Sequence, residues 1–203
     1  EFLRERIYYA RLCLIQIGTP ELVVCIDPLA LENLDPLHAL LEDARIAKVL
    51  HAARQDLEVF SDLRGVVPAP LFDTQIAAAY LGYDDQIGYA GLVTAITGVT
   101  LAKAHTRADW SVRPLGAAQL QYAEDDVRYL VPVYEALHER LGRAGRLAWV
   151  EDDCARLTEP ALYAADPAQA WRRLRGGADL AAANQQMLRT LATFREQTAR
   201  SRN

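Results

Sequence analysis

The sequence lacks most of what marks a secreted, membrane-spanning or polyanion-coating protein. Its 203 residues hold three cysteines, Cys13, Cys25 and Cys154, with no Cys-x-x-Cys pair. An odd count without paired spacing argues against a disulfide framework and against a thiolate zinc site. Buried thiols in a reducing compartment are the expectation, although Cys13 and Cys25 could face each other across a hairpin. No apolar run approaches the ~20 residues that cross a bilayer. The opening residues lack the basic-then-apolar layout of a signal peptide, and the chain begins with Glu1 rather than Met. A cytoplasmic protein with no membrane partner is expected, and its opening reads as that of a fragment. Positive charge is scarce too. The net charge is −5, which does not suit broad electrostatic binding to a polyanion. It suits carboxylates that gather divalent cations, which can then meet a phosphate.

Half the residues are hydrophobic (51%) and a quarter charged (24%), enough for one good-sized domain, or a domain plus part of another. Charge is unevenly spread. From Pro160 onward, seven arginines face three acids (Asp166, Asp179, Glu196), leaving −9 for the rest. That basic tail reads equally as a solvated helix face or as a surface touching a nucleic-acid backbone.

Tyr9–Ile17 and Leu22–Ile26 are rich in Val, Ile, Leu and Cys around Gly18-Thr19-Pro20-Glu21, predicting a hairpin of two buried strands. Pro36 divides Leu29–Leu41 into a loop and a short helix, and Ile46–His51 reads as a third strand. Helices are expected over Gln55–Leu63, from an N-cap at Asp73-Thr74 to Gly82, and over Gly88–Ile96. Lys103–Pro114 has no clean period and reads as a loop. A long helical pattern runs from about Ala117 to Leu141, and Pro132 should split it near Leu130. Trp149–Leu162 is another expected helix. Ala165-Asp166-Pro167 reads as a boundary before a few short helices that lack partners for a core of their own. Strands first and mostly helices afterwards imply a mixed sheet flanked by helices.

Within the long pattern, Leu120, Ala123, Val127 and Leu130 fall at helical spacing, and Tyr122 and Asp126 share a face four residues apart. A phenol beside a carboxylate suits a metal-held acid with a hydroxyl that orients water; the bland alternative is an exposed acidic patch. Glu1 stands before the first apolar strand, and Asp56 follows the strand ending at His51. Acids at a strand edge, a strand-to-helix turn and a helix face can converge above one end of a sheet. Such hard oxygen donors favour Mg²⁺ or Mn²⁺, and two ions about 4 Å apart can clamp both oxygens of a phosphodiester displacement.

Glu1-Phe2-Leu3-Arg4-Glu5-Arg6, His51-Ala52-Ala53-Arg54-Gln55-Asp56 and Tyr122-Ala123-Glu124-Asp125-Asp126 resemble, in order, the three motifs of the DEDD superfamily of 3′-to-5′ exonucleases. The tyrosine places the resemblance in the subgroup with that residue in its third motif (DEDDy). Phe72-Asp73-Thr74-Gln75-Ile76-Ala77 and Arg107-Ala108-Asp109-Trp110-Ser111-Val112-Arg113-Pro114-Leu115 are similar to phrases of the ribonuclease D family within it. The likeness covers about residues 1–162, and the tail at 163–203 resembles the linker and opening helices of a truncated HRDC-like domain. The resemblance implies a ribonuclease H-like α/β fold (the DnaQ-like exonuclease fold), its first strand largely missing, followed by a few C-terminal helices. It implies that Glu1, Asp56 and Asp126 bind two divalent cations, Mg²⁺ or Mn²⁺, and that Tyr122, a neutral phenol of ordinary pKa ~10, orients the attacking water. The expected reaction is hydrolysis from RNA 3′ ends, of tRNA precursors and other small structured RNAs, releasing nucleoside 5′-monophosphates.

The family's first motif opens with an aspartate two residues before its glutamate, and this sequence starts at that glutamate. A chain with nothing ahead of Glu1 is therefore expected to bind metal poorly and to have little nuclease activity. Phe2, Arg107, Trp110 and Arg113 are the candidate substrate contacts, because cations and aromatics can grip phosphate or stack a base. Against that stands the reading that Trp110 packs its loop on the core and Arg113 pairs with an acid. His51 is expected as a structural hydrogen-bonding residue and Asp73 as a helix cap; Glu124, Asp125, His105 and His138 are expected at the surface. The rival functions are a proofreading-type DNA exonuclease and a catalytically inactive domain that binds RNA or protein.

Overall fold

The structure, a computed structural model, describes residues 1–102 and 108–203. Six short strands carry the first third of the chain. β1 (Phe2–Leu3) pairs antiparallel with β2 (Arg11–Leu12). β3 (Ile15–Gly18) and β4 (Val23–Ile26) form the expected hairpin, in a register that sets Ile15 opposite Ile26 and Gly18 opposite Val23. Ladder pairing therefore extends into Gly18, and only Thr19–Leu22 turn. β5 (Lys48–Leu50) runs parallel to β6 (Leu71–Asp73). Among the described residues the strands pair as three two-stranded ladders, rather than as one continuous mixed sheet. None exceeds four residues, which leaves little ladder to share. Glu1 joins two of them, its carbonyl accepting from the N–H groups of Cys13 and Leu14 at 2.9 and 3.1 Å.

Among the described residues, eight α-helices follow or interrupt the strands. α1 (Asp35–Glu42) carries Pro36 in its first turn, where a missing N–H costs nothing. α2 (Arg54–Arg64) ends on Gly65, whose φ of +70° supplies the left-handed cap. α3 (Thr74–Ala79) is capped by Asp73, and α4 (Tyr89–Thr97) ends at Gly98. The long helical pattern is split into α5 (Ala117–Arg128) and α6 (Leu130–Arg143). Pro132 explains the position: it offers no N–H to Arg128, and its ring crowds that carbonyl. α7 (Leu147–Leu157) stops short of the expected end, and Pro160–Leu162 forms a separate 3₁₀ turn.

The main core gathers Leu57, Leu92, Val93, Val133, Leu137, Leu141 and Val150, all fully buried, around β5 and β6. A second cluster of Cys13, Leu14, Trp110 and Ala123 seats α5 against the hairpin. Cys13 and Cys154 are buried free thiols and Cys25 is a half-buried one. The tail folds as a 3₁₀ turn at Pro167–Arg173 and a long helix, α8 (Ala182–Ser201), which enclose Ala170, Trp171 and Ala192. The end of α8 returns to the start of the chain. The Tyr8 hydroxyl donates to buried Glu196, the Arg200 guanidinium donates to that hydroxyl at 3.1 Å, and Asn203 accepts from the Tyr9 N–H at 2.6 Å. Among the described residues no helix is long and apolar enough to cross a membrane.

Candidate active site

The start of the chain, the first turn of α2 and the last turn of α5 meet at one cavity of about 410 Å³. Glu1, Asp56 and Asp126 line it together with Phe2, His51, Gln55 and Tyr89. Acids far apart along the chain thus line one cavity. Glu1 reaches it because its backbone continues the β1–β2 hairpin, with its ammonium donating to the Leu14 carbonyl at 2.7 Å. Asp56 is placed by the sharp turn between β5 and α2. Ala52 there takes a left-handed φ of +55°, unfavourable for a residue with a Cβ. The buried Asp73 carboxylate holds that turn, accepting from the Ala52 and Ala53 N–H groups at 3.1 and 2.8 Å while capping α3 through Gln75 at 2.8 Å. The Asp73 N–H itself donates to the Cys154 sulfur at 3.3 Å. Asp73 is the expected cap, and it also ties two strand-to-helix turns together.

Electrostatics set these acids apart. Burial pushes the Asp56 carboxyl up to about 6; the nearby N-terminal ammonium pulls it down, while Glu1 and Asp73 push it further up. Burial, then the charge of Glu1, push Asp126 up to about 7, helped by Asp125 and by a hydrogen bond to Glu1. Near neutral pH the cavity therefore holds partly protonated carboxyls, only partly offset by the N-terminal ammonium. Tyr122 is pushed up to about 12 by burial, by the charges of Asp126 and Glu1, and by a hydrogen bond to Asp126. It remains a neutral phenol at any physiological pH. Its ring lies 6.1 Å from that of Trp110, and the hydroxyl-bearing residue stands beside the cavity rather than on its wall. Among the described residues, no three His, Cys, Asp or Glu side chains are drawn close enough to cage a metal ion. The donor set is still of the right chemistry: three hard carboxylates line one cavity, and the pKa values of two of them are raised by burial and by Glu1, which a divalent cation would relieve.

The other candidates fall elsewhere. Phe2 borders the cavity beside Glu1. Trp110 is only 3% exposed and belongs to the hairpin core. Arg113 grips Asp27 through two hydrogen bonds of 2.6 and 2.7 Å and also donates to the carbonyls of Trp110 and Cys13. Both residues hold their loop in place, and neither borders the cavity. Arg107 and His105 lie outside the described residues. His51 is hydrogen-bonded on both sides, with Nε2 3.0 Å from the Ile87 carbonyl and Nδ1 2.9 Å from the Thr74 hydroxyl. A carbonyl only accepts, so Nε2 carries the proton, and burial lowers the ring's pKa to keep it neutral. Glu124 and Asp125 face Arg128 and Gln121 on the outer side of α5. Sequence reasoning missed Tyr89 and Gly18, the two residues that press on the last turn of α5 from opposite sides, and no local pattern marks either.

The sequence model described as a 3′-5′ exonuclease matches residues 1–142. The chain belongs to the 3′-5′ exonuclease family. Within that family it is similar to the ribonuclease D of Gluconacetobacter diazotrophicus, at 47% identity over 100% of this chain and 52% of the relative. It superposes on the crystal structure of Escherichia coli RNase D, an exoribonuclease involved in structured RNA processing, with a TM-score of 0.94 and 40% identity, over 100% of this chain and 54% of that one. Brucella melitensis NrnC with bound Mg²⁺ is similar at a TM-score of 0.69 and 29% identity, covering 81% of this chain and 80% of its own. The mixed α/β architecture is thus the exonuclease fold expected from the motifs. This exonuclease chain spans about half the length of the curated relatives it matches.

Proposed function

We propose that the protein is a divalent-cation-dependent 3′-to-5′ exoribonuclease that trims RNA 3′ ends and releases nucleoside 5′-monophosphates. The observation that carries this reading is the convergence of Glu1, Asp56 and Asp126 on one cavity, with Tyr122 hydrogen-bonded to Asp126. Glu1, Asp56 and Asp126 would hold the cations, which supply positive charge against the phosphate and lower the pKa of water. The two-ion arrangement of the family, with Mg²⁺ or Mn²⁺, is part of the proposal, and the Mg²⁺-bound relative supports divalent-metal use. Tyr122 keeps its proton, so its hydroxyl can orient a water by hydrogen bonding but cannot act as the base. Phe2 lines the same cavity and supplies an aromatic ring on which the terminal base can stack.

RNA rather than DNA is favoured by likeness to an exoribonuclease at 40% identity over the whole chain. tRNA precursors and other small structured RNAs are the proposed substrates, and the reducing interior of the cell the proposed location. The test is to supply Mn²⁺ and a 5′-labelled RNA with a free 3′-hydroxyl, beside a matched DNA. It is run on the chain and on the same chain carrying the family's Asp-x pair ahead of Glu1. Stepwise shortening of the RNA with release of 5′-monophosphates is expected, stronger in the extended form. Internal cuts, products bearing 3′-phosphate, or preference for the DNA would overturn it.

A further inference from the structure

α5 does not simply run into α6. In an unbroken helix the Tyr129 N–H would donate to the Asp125 carbonyl four residues back. Here the Tyr89 hydroxyl stands between the two. It accepts from the Tyr129 N–H at 3.3 Å and donates to the Asp125 carbonyl at 3.2 Å, while that N–H also leans on the Val127 carbonyl. A side chain inserted into the helix ladder is a sufficient cause of a sharp break. Asp126 is the first of the three residues enclosed by this opened step.

Two further contacts fix the same turn. The Tyr89 ring lies 5.7 Å from the ring of His51, which is itself held at both nitrogens. On the opposite side β3 approaches so closely that a Cβ added at Gly18 would fall 2.7 Å from the Val127 carbonyl oxygen. Asp126 is therefore carried on a turn clamped between β3 and the Tyr89 side chain. The Tyr89 hydroxyl has its proton committed to Asp125 and a lone pair committed to Tyr129. It borders the cavity, yet it has no proton to spare for substrate.

We propose that Tyr89 is a positioning residue: its hydroxyl bridges the broken Asp125–Tyr129 step of the helix and thereby sets where Asp126 projects into the cation site. This rests on reading Glu1, Asp56 and Asp126 as that site. Removing the bridge lets the helix step close on itself or fill with water, and either rotates the turn that bears Asp126. The cost falls on cation affinity, as it does when groups supporting a metal ligand are removed elsewhere.

Calorimetric titration of Mn²⁺ into the protein and its Tyr89→Phe variant, both carrying the family's Asp-x pair ahead of Glu1, tests this. The variant keeps the ring and its packing and loses only the bridge. A fall in Mn²⁺ affinity of about tenfold is expected in protein that is still folded at the titration temperature. Equal affinities, within twofold, would overturn the proposal even if the variant melted earlier. Linkage provides a second measurement on the unaltered protein: if the bridge helps the cation, the cation must help the bridge. Exchange of the Tyr129 amide proton, followed by NMR, should slow when Mg²⁺ is added; an unchanged rate under saturating Mg²⁺ would also overturn it. Failure of the unaltered protein to bind either ion would instead remove the cation-site reading itself.

Discussion

Asp73 and Asp126 are both drawn away from solvent, yet the chain surrounds them differently. Asp73 is 2% exposed and accepts from the backbone of Ala52, Ala53, Gln75 and Ile76. Every one of those donors is fixed by a turn or a helix start, so the carboxylate replaces water with built-in partners. Asp126 meets the Glu1 carboxyl and the Tyr122 phenol, and burial together with Glu1 raises its pKa to about 7. Among the described residues no hydrogen bond reaches the Asp56 carboxylate at all, and it too is raised by burial. One region uses its acid to hold the chain; the other leaves Asp56 and Asp126 with carboxyls raised by burial and by Glu1, an arrangement that a cation would relieve. The contrast sets a carboxylate with built-in backbone partners apart from the proposed cation ligands.

The largest effect expected from breaking that contrast is on turnover. Asp126→Asn keeps the shape and removes a proposed cation ligand, so the rate of nucleotide release should fall by about 10³-fold or more, the several kcal/mol a bound metal contributes to the transition state. Cation-free stability of this variant should equal or exceed that of the parent, because an unfavourable buried charge is gone. Asp73→Ala should do the reverse in kind. It strands the Ala52 and Ala53 donors and uncaps α3, for a loss of about 3 kcal/mol in denaturant unfolding. A stable, cation-binding Asp73→Ala protein would remove the basis for calling Asp73 structural.

Proton linkage sharpens the comparison further. Asp126 goes from the ordinary aspartate value of 3.8 to about 7 and Asp56 to about 6 on folding, so between those values the folded chain binds more protons than the unfolded one. Their contribution to stability therefore decreases as pH rises from about 4 to 7 and stays low above it. Without divalent ions, the melting temperature of the parent relative to Asp126→Asn should drop by on the order of 5 °C between pH 5 and pH 8. Mg²⁺ at pH 8 should restore it in the parent and leave the variant unmoved. His51, whose pKa is lowered by burial, acts with the opposite sign in both proteins and cancels in the difference.

Much of this was open to sequence reasoning where local chemistry is loud. Pro132 placed the α5–α6 break, Asp73 announced its cap, and the hairpin around Gly18–Glu21 followed from strand propensity and turn residues. β6 was missed because Leu71–Asp73 is too short to alternate and needs β5 beside it to be a strand. Trp110 and Arg113 showed the limit of composition: a cation and an aromatic in a loop look the same whether they grip phosphate or Asp27 and a core. The Tyr89 bridge had no signal at all. It depends on a hydroxyl from α4 meeting a helix 36 residues on, and only tertiary packing decides that. The acids themselves were proposed from motif order, while the raising of Asp56 and Asp126 by burial and by Glu1 is a product of the shared cavity.

Gly18 gives the smallest and most selective test. Its hydrogen bonds belong to the β3–β4 ladder and its φ is ordinary, so turn chemistry does not call for glycine there. What calls for it is space: the added Cβ of Gly18→Ala meets backbone at Val127, which cannot swing aside as a side chain would. Relief must come from moving β3 or the last turn of α5, at about 1–2 kcal/mol of stability. If α5 moves, Asp126 moves with it, and Mn²⁺ affinity should fall several-fold alongside the stability. If β3 moves instead, the hairpin absorbs the strain and Mn²⁺ affinity stays at the parent value. Comparing Gly18→Ala with Tyr89→Phe therefore shows which side of the clamp holds Asp126 in place, since the two variants press on one turn from opposite directions.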